Sequence, residues 1–496
     1  MIPGWKKIWA LQVNNKSNLI VHERFNKMKL SIMKSLVLVS LIFFVSACTS
    51  NRYEFIEPNL NEIETRYRHG IKKYNTKIPE KLSLKKAKEI AIHSNPDPIV
   101  AASRVKEAMT RLELIQRDYY PTVDFSFTYS QDRNSLSQVL PRSEHFERFQ
   151  PNVRVNYLIL DGHRRHYSKL AAIQDILSSK QNFYDSHRLI VFAVSQSFYN
   201  TILQKEFMKI AREDMAFNKK LLDMTKKRID QGVSSDAEFL NFQLRYNEAE
   251  INYLRAEEQY KNNRIVLAEL MGIEENKLND SIELIFNEKE FNKNVKYDYK
   301  ELVELAKDRP DLKAIWYSIK AAHQRIKAGD ASFKPRLSLD VQLGYSRLDD
   351  LELEKDNEDM SISATYTIPL INFGRRKAAI AELEAAMKSL EARYINEFNV
   401  LKSTIRQTLT RFSSTQNRME IQKKTVDVSK RMRDIEAKKY DAGEVTLTRL
   451  NEVQIALVRS EINLRLEQVR ILLLDEEIES QTGQNLEDLD IEKKKS

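Results

Sequence analysis

Two patterns of apolar and polar residues alternate along the chain. In four segments of about ten residues, apolar side chains alternate with polar ones, which is typical of a β-strand with one apolar and one polar face. About ten residues is also the length that a tilted strand needs to cross a bilayer. The sequence therefore predicts four transmembrane strands, at about 122–130, 152–160, 337–345 and 361–369.

The second pattern is helical. Neither Gly nor Pro occurs between Gly162 and Gly232, so this segment can form one helix of roughly 100 Å. Two shorter helical segments, 96–120 and 235–271, have about the same combined length, and we expect them to stack end to end along the long helix. The second half of the chain has the same plan, with helices predicted at 311–334, 375–441 and 446–482.

Residues seven positions apart predict where the helices pack on one another. One such series starts at Leu450 and another at the equivalent Phe239. Heptad spacing is typical of helices that lie side by side. The two series are Leu450, Leu457, Leu464 and Ile471, and Phe239, Tyr246, Tyr253 and Tyr260.

Matching spacings of Pro indicate that the chain contains two repeats. Pro96 and Pro121 lie 25 residues apart, and so do Pro310 and Pro335. The predicted fold is therefore mainly α with transmembrane β, duplicated in tandem. The predicted boundaries are 82–272 for the first repeat, 273–295 for a polar link, 296–483 for the second repeat and 484–496 for a charged C-terminal tail.

The amino-terminal region has the features of a lipoprotein precursor. An apolar stretch, 36–47, follows several lysines and is too short to cross a bilayer. It ends at Cys48, the single cysteine of the chain, in a sequence that resembles a bacterial lipobox. We predict a signal peptide at 1–47, acylation of Cys48 and a lipidated linker at 48–81. Translation can also start at Met28 or Met33, and in either case at least residues 1–27 would be untranslated.

Composition limits the other classes of function. The chain has only 10 Gly and 11 Pro in 496 residues, too few for turn-rich β folds. Its net charge of +9 is spread over mixed-sign stretches, so no nucleic-acid partner is predicted. We find no phosphate loop, zinc-protease motif or nucleophile elbow, and we predict neither enzyme activity nor a cofactor. His163 and His166 lack a third ligand, so no metal site is predicted there.

Four strands are too few for a membrane barrel. The smallest known barrels have eight strands, and open strand edges are not stable in lipid. Closure therefore requires several chains. Two copies would give eight strands and a barrel filled by side chains, whereas three would give twelve strands and leave a lumen.

Motifs at corresponding places in the two repeats resemble those of the TolC family of outer-membrane efflux and export channels. Asn95-Pro96 and Arg309-Pro310-Asp311 resemble its helix starts. The sequences 160–165 (LDGHRR) and 371–376 (INFGRR) are similar to its strand exit, and 440–443 (YDAG) to its hairpin motif.

The resemblance implies a homotrimer whose twelve-stranded β-barrel continues into a long α-helical periplasmic tunnel, anchored in outer-membrane lipid. It also implies the outer-membrane exit duct of a tripartite efflux pump or a type I secretion system. Such a duct is passive, and its partners are a periplasmic adaptor protein and an inner-membrane pump.

The resemblance places the functional ends at the two helix hairpins. A periplasmic gate is expected at Glu238, Arg449 and Glu452, where the three Glu452 of a trimer would attract cations and could pair with Arg449 across subunits. Adaptor docking is expected at the tip residues Gln231, Gly232, Val233, Tyr440, Gly443, Glu444 and Val445.

One alternative of another class is a structural coiled-coil envelope lipoprotein without channel activity. The alternating strands argue against it, because a spacer has no need of four segments with a lipid-compatible face. A conducting, detergent-dependent trimer would favour the channel, and a soluble, non-conducting rod would favour the spacer.

Overall fold

A computed structural model gives the fold of residues 78–135, 143–231, 235–279, 281–286, 296–345, 347–348 and 358–486. The predicted signal peptide and Cys48 lie outside these described residues, as do the tip residues Gly232 and Val233. All described residues belong to one compact unit, which spans Tyr74–Ser496.

The described residues form seven strands and eight α-helices, and none of these helices is both long and apolar enough to cross a membrane. In chain order the elements are β1 (Lys81–Leu82), α1 (Leu84–Ser94), α2 (Pro96–Arg117), β2 (Thr122–Ser135), β3 (Ser143–Leu160), α3 (Arg164–Asp230), α4 (Asp236–Leu270), β4 (Glu283–Leu284), α5 (Tyr299–Ala306), α6 (Pro310–Asp330), β5 (Arg336–Tyr345), β6 (Arg347–Leu348), β7 (Glu358–Thr367), α7 (Arg375–Asp441) and α8 (Leu447–Thr482).

The two halves repeat the same series of long elements. Helices α3 and α7 each have 67 residues. In the first half, α2 and α4 both pack along α3. The Asn95 side chain, which caps the start of α2, donates a hydrogen bond to the carbonyl of Leu270 at the end of α4 (2.9 Å). The two shorter helices therefore meet end to end beside the long one, as the sequence predicted.

The strands form an antiparallel sheet in the order β2-β3-β5-β7, with β6 beside β3. Strands β2 and β3 extend beyond the predicted segments. The prediction missed their outer ends because these lack a regular alternation of apolar and polar residues. Strand β7 ends at Thr367, before the predicted limit of 369. Pro369 lies just beyond that end and has no backbone N–H for a sheet hydrogen bond.

A short parallel pairing ties the two ends of the first repeat together. Strand β1 pairs with β4, placing Leu82 opposite Leu284. Both leucines are buried in a cluster with Phe198 of α3 and Leu267 of α4. Part of the predicted inter-repeat link is therefore in the core, and Ile78 of the predicted linker packs against it. The predicted C-terminal tail also begins inside the fold, because Asn485 is buried and donates to the carbonyl of Arg188 (3.0 Å).

The helix seams agree with the heptad prediction in one repeat and differ in the other. On α8, Leu450 and Leu457 are buried, and so is Ile471. On α4 the predicted tyrosine series is only half-buried, and the buried positions are Phe242 and Ala249. The tyrosines keep their hydroxyl groups within reach of polar partners, as the contact from Arg212 to Tyr253 shows, for example. The buried positions Phe242 and Ala249 each lie three residues after a member of the predicted series, so the packing face of α4 includes a second series that the prediction did not name.

Candidate functional site

The first hairpin joins α3 to α4. Helix α3 is capped at its C-terminus by Gln231, whose side chain is exposed. Ser235 is the N-cap of α4, and its Oγ accepts a hydrogen bond from the backbone N–H of Glu238 (3.3 Å). Such a cap satisfies a backbone donor that the first helical turn leaves without a partner.

The second hairpin joins α7 to α8 through a left-handed glycine. Gly443 has φ 76°, and its N–H donates to the carbonyl of Tyr440 (3.0 Å) while that of Glu444 donates to Lys439 (2.9 Å). This pair of bonds is the Schellman arrangement that ends many helices. Thr446 then caps α8, because its Oγ1 accepts from the N–H of Arg449 (3.4 Å).

Tyr440 connects the two hairpins. Its hydroxyl group donates a hydrogen bond to the carboxylate of Glu238 on α4 (2.6 Å), 202 residues away in sequence. Its ring lies edge-on to Phe242 at 6.1 Å, in a cluster completed by Leu221, Leu450 and Val453. Burial raises the pKa of Tyr440, and the hydrogen bond to Glu238 raises it further. The phenol therefore stays protonated and remains a donor at neutral pH.

The burial of Tyr440 corrects one prediction. Only 6% of this residue is exposed, so it cannot belong to the exposed docking surface that the sequence analysis assigned to it. Gln231, Gly443 and Glu444 are exposed at the tips, whereas Val445 is half-buried against the same cluster.

Arg228, near the end of α3, contacts the second hairpin from the other side. Its guanidinium lies 5.3 Å from the centre of the Tyr440 ring, a distance typical of cation–π contacts. It also lies 4.0 Å from the carboxylate of Asp441. The end of α7 is therefore held between residues of α3 and α4.

Another polar link, this time between α3 and α8, lies further from the tips. The amide of Gln454 donates to the carboxylate of Asp214 (2.7 Å), which also accepts from Asn218 (3.3 Å). Burial raises the pKa of Asp214, although both hydrogen bonds act in the opposite direction. The sequence analysis missed this link, because nothing in a single sequence connects positions 240 residues apart.

The predicted gate residues Arg449 and Glu452 pair with each other in one chain. The guanidinium Nη1 lies 3.2 Å from the carboxylate Oε2, and both side chains are exposed. Residues three positions apart lie on the same face of a helix, which accounts for this pairing. Within the chain Arg449 therefore pairs with Glu452, and Glu238 is bound to Tyr440. The expected pairing of Arg449 across subunits stays a prediction.

In the part of the chain that the structure describes, no group of three or more His, Cys, Asp or Glu side chains is placed to hold a metal ion. The arrangement is one of ion pairs and hydrogen bonds between helices, which can hold hairpins together or let them separate.

Known proteins resemble this chain over both repeats. The family described as outer membrane efflux protein matches residues 89–273 and 302–472. The pyoverdine export outer membrane protein OpmQ of Pseudomonas putida is 21% identical over 75% of this chain and 80% of its own length. The probable outer membrane lipoprotein SilC of Salmonella typhimurium is 24% identical over 68% of this chain and 72% of its own.

A solved structure shows the same fold. The CmeC outer membrane channel of Campylobacter jejuni superposes with a TM-score of 0.70 at 16% sequence identity. The match covers 81% of this chain and 85% of that channel.

Proposed function

The chain belongs to the outer membrane efflux protein family, and from this premise we propose that three copies of it form a passive outer-membrane exit duct. The duct completes a tripartite efflux pump or a type I secretion system. It receives its cargo from an inner-membrane pump through a periplasmic adaptor protein. The observation that carries this proposal is a sheet whose two end strands are both left with an open edge in the described residues.

In the described residues, β2 and β7 are the two ends of the sheet order. Open edges are not stable in lipid, and a head-to-tail contact between copies closes into a ring. Three copies supply twelve strands, and a twelve-stranded barrel is wide enough for a lumen. Helices of 67 residues extend about 100 Å from such a barrel, a length suited to crossing the periplasm.

The side chains on the two faces of the sheet support this assembly. Val123, Phe125, Phe127 and Tyr129 follow one another on one face of β2 and are each more than half exposed in the single chain. Apolar residues on the outer face contact lipid, and polar residues on the inner face line a wet pore. Acylation of Cys48 would add a second anchor, a proposal that the lipoprotein description of SilC supports.

The hairpin tips serve as the gate and the adaptor docking surface in this proposal. Gln231, Gly443 and Glu444 are exposed there and are available to a partner protein. Arg449 and Glu452 form an exposed pair on α8. Three copies of this pair around the axis would put three carboxylates near the aperture, and these would attract cations.

Conductance of the purified protein in planar bilayers tests the proposal. We expect single-channel conductance with a preference for cations, and Glu452→Gln should lower that preference because the aperture loses negative charge. The matched control is Glu420→Gln, which removes the carboxylate of another exposed pair spaced three residues apart, with Lys423 on α7.

Two results would overturn these assignments. A protein that is a soluble, non-conducting rod would support the envelope-spacer alternative and reject the duct. A channel whose ion preference is the same in wild type, Glu452→Gln and Glu420→Gln would keep the duct but reject Glu452 as a gate residue.

A further inference from the structure

The internal repeat specifies how the open edges of the sheet meet. We propose that β7 of one copy pairs antiparallel with β2 of the next copy, with Tyr366 opposite Phe127. This inference rests on the proposed assembly of several copies and adds the residue-level register of the joint between them. The argument uses the joint between the repeats within one chain, where β3 pairs with β5.

Two features that occur at corresponding places in both repeats show which residues are equivalent. Pro121 precedes β2 as Pro335 precedes β5, which maps β2 onto β5 by 214 positions. At the other end, the carboxylate of Asp161 accepts hydrogen bonds from the N–H and Nε of Arg165 (both 2.9 Å).

The second repeat reproduces this capping arrangement 211 positions later. The side-chain oxygen of Asn372, with its amide in the orientation that satisfies both partners, accepts from the N–H (3.3 Å) and Nε (3.0 Å) of Arg376. In both repeats the two residues after the cap have positive φ, 64° and 75° at Gly162 and His163 and 48° and 86° at Phe373 and Gly374. Strand β3 therefore maps onto β7 by 211 positions.

The registers within the two hairpins test this mapping independently. In the first hairpin, Val123 lies opposite Val155. The mapping converts this pair into Leu337 opposite Tyr366, and that pair is present in the β5–β7 register. The repeat therefore preserves strand register to the residue.

The same mapping converts the joint within the chain into the joint between copies. Val155 lies opposite Val341, and Arg154 lies opposite Gln342. Moving β3 onto β7 and β5 onto the next copy's β2 converts the first pair into Tyr366 opposite Phe127, on the apolar face. On the polar face it gives Thr365 opposite Thr128.

The chemistry of the two edges agrees with this register. Tyr366 and Phe127 are each 57% exposed in the single chain, and the pairing brings these aromatic side chains together on one face. A shift of one residue would place Tyr366 opposite a polar residue, Ser126 or Thr128, and mix the two faces of the sheet. A shift of two residues would preserve the faces, and the internal repeat is what excludes it.

The proposed β7–β2 joint between copies cannot match the β3–β5 joint within the chain at the end next to the long helices. A Cβ added to Gly162 would lie 2.5 Å from the Cβ of Lys334, so glycine is required for that contact. The equivalent residue is Phe373, which is 99% exposed and cannot repeat it. The internal register also shifts between Leu158 and Leu160 at this end. The register is therefore tested nearer the middle of the strands.

Disulfide trapping between copies tests the register. The in-register pairs are Thr365→Cys with Thr128→Cys, and Ala364→Cys with Tyr129→Cys. Adjacent antiparallel pairs alternate between hydrogen-bonded and non-hydrogen-bonded sites, so one of the two has the closer spacing. The shifted controls combine Thr365→Cys with Ser126→Cys or Ser130→Cys, which displaces the thiols by about 7 Å along the strand.

Oxidation of the in-register variants should give at least five times more reducible dimer and trimer than either shifted control. Variants with only one introduced cysteine, which also retain Cys48, provide the background. The variant with Arg154→Cys and Gln342→Cys is the matched internal control, because these residues occupy the equivalent register position within one chain.

Distinct results separate failure of the register from failure of the assembly. More cross-linking in a shifted pair, or self-cross-linking of Thr365→Cys alone above background, would overturn the proposed register. So would the absence of cross-links between copies in a protein that conducts and forms the internal control disulfide. A monomeric, non-conducting wild-type protein would overturn the proposed duct together with the joint.

Discussion

At the scale of single residues, Tyr440 joins the hairpins by one hydrogen bond to Glu238. Tyr440→Phe removes the hydroxyl group and keeps the ring packed against Phe242. Hydrogen bonds to charged groups contribute about 1.5–3 kcal/mol, enough to change the population of an open tip by tenfold or more. We expect the time-averaged conductance per channel in planar bilayers to rise several-fold, with unchanged trimer content by size-exclusion chromatography.

Glu238→Gln is the matched control for this prediction. The glutamine side-chain oxygen can still accept the hydrogen bond from Tyr440, although without its negative charge. Conductance of Glu238→Gln should therefore lie between the wild type and Tyr440→Phe. If Tyr440→Phe conducts like the wild type, the Tyr440–Glu238 contact does not hold the tip closed.

Asp214 is a second residue with a defined effect, in this case on stability. Burial raises its pKa above the ordinary value of 3.8, so the folded chain binds the proton more tightly than the unfolded chain. The stability that this proton contributes is present below pH 3.8 and is lost as pH rises through the raised pKa. Asp214→Asn keeps an acceptor for Gln454 without the charge.

We expect Asp214→Asn to raise the thermal unfolding midpoint at pH 7.5, measured by circular dichroism at 222 nm in detergent. The gain should shrink as the pH is lowered toward 4, because the wild-type carboxyl group then becomes protonated. An equal gain at both pH values would show that the charge of Asp214 is not the cause.

At the scale of elements, the long helices were predictable because their limits are local. Helix α7 begins and ends at the predicted residues Arg375 and Asp441, next to glycines with positive φ that stop a helix. The short elements were not predictable. Helix α5 has eight residues and β1 has two, too few to show a period, and their stability depends on distant parts of the chain.

In the candidate site, too, the local features were predictable and the contacts between distant parts of the chain were not. Gly443 was readable from sequence as part of a hairpin motif, and the cap at Ser235 is local in the same way, because turn and cap chemistry depends on neighbouring residues. The contact between Tyr440 and Glu238 was not, since it depends on how two hairpins pack. The pairing of Arg449 with Glu452 within one chain follows from helix spacing, whereas pairing across subunits depends on the assembly and stays a prediction.

The Gly443 turn allows a prediction about one element. No atom lies within 4 Å of a Cβ added at Gly443, so Gly443→Ala has no steric overlap and only the left-handed backbone opposes it. This conformation disfavours alanine by about 1–2 kcal/mol. We expect faster hydrogen exchange in a peptide covering residues 436–450, measured by mass spectrometry.

Gly443→Asn serves as the control, because asparagine adopts the left-handed conformation more readily than alanine. Its exchange should be closer to that of the wild type. Equal acceleration in both variants would mean that the side chain, rather than the backbone conformation, disturbs the hairpin.

At the scale of the whole molecule, one buried ion pair joins the beginning of the fold to its end. Lys88 of α1 lies 2.8 Å from Glu476 of α8, and only 12% and 10% of their side chains are exposed. The hydroxyl group of Ser195 on α3 also donates a hydrogen bond to this carboxylate (2.8 Å). The first helix, the last helix and a long helix of the first repeat therefore meet at one carboxylate.

A double-mutant cycle on this pair tests its role in the whole fold. Lys88→Met or Glu476→Leu alone leaves a buried charge without its partner, which destabilises a fold by about 3–5 kcal/mol. The double variant leaves no unpaired charge, and Ser195 can still donate to the carbonyl of Val191 (3.0 Å). Its loss of thermal stability should be clearly smaller than the sum of the two single losses.

The exposed pair of Lys86 and Glu89 on the same helix α1 provides the comparison. Exposed pairs contribute about 0–1 kcal/mol, so Lys86→Ala and Glu89→Ala should each lower the unfolding midpoint far less than Lys88→Met. If the losses at Lys88 and Glu476 simply add, the two charges act independently and do not join the ends of the fold. A smaller combined loss is therefore the result that identifies the Lys88–Glu476 pair as a direct link between α1 and α8.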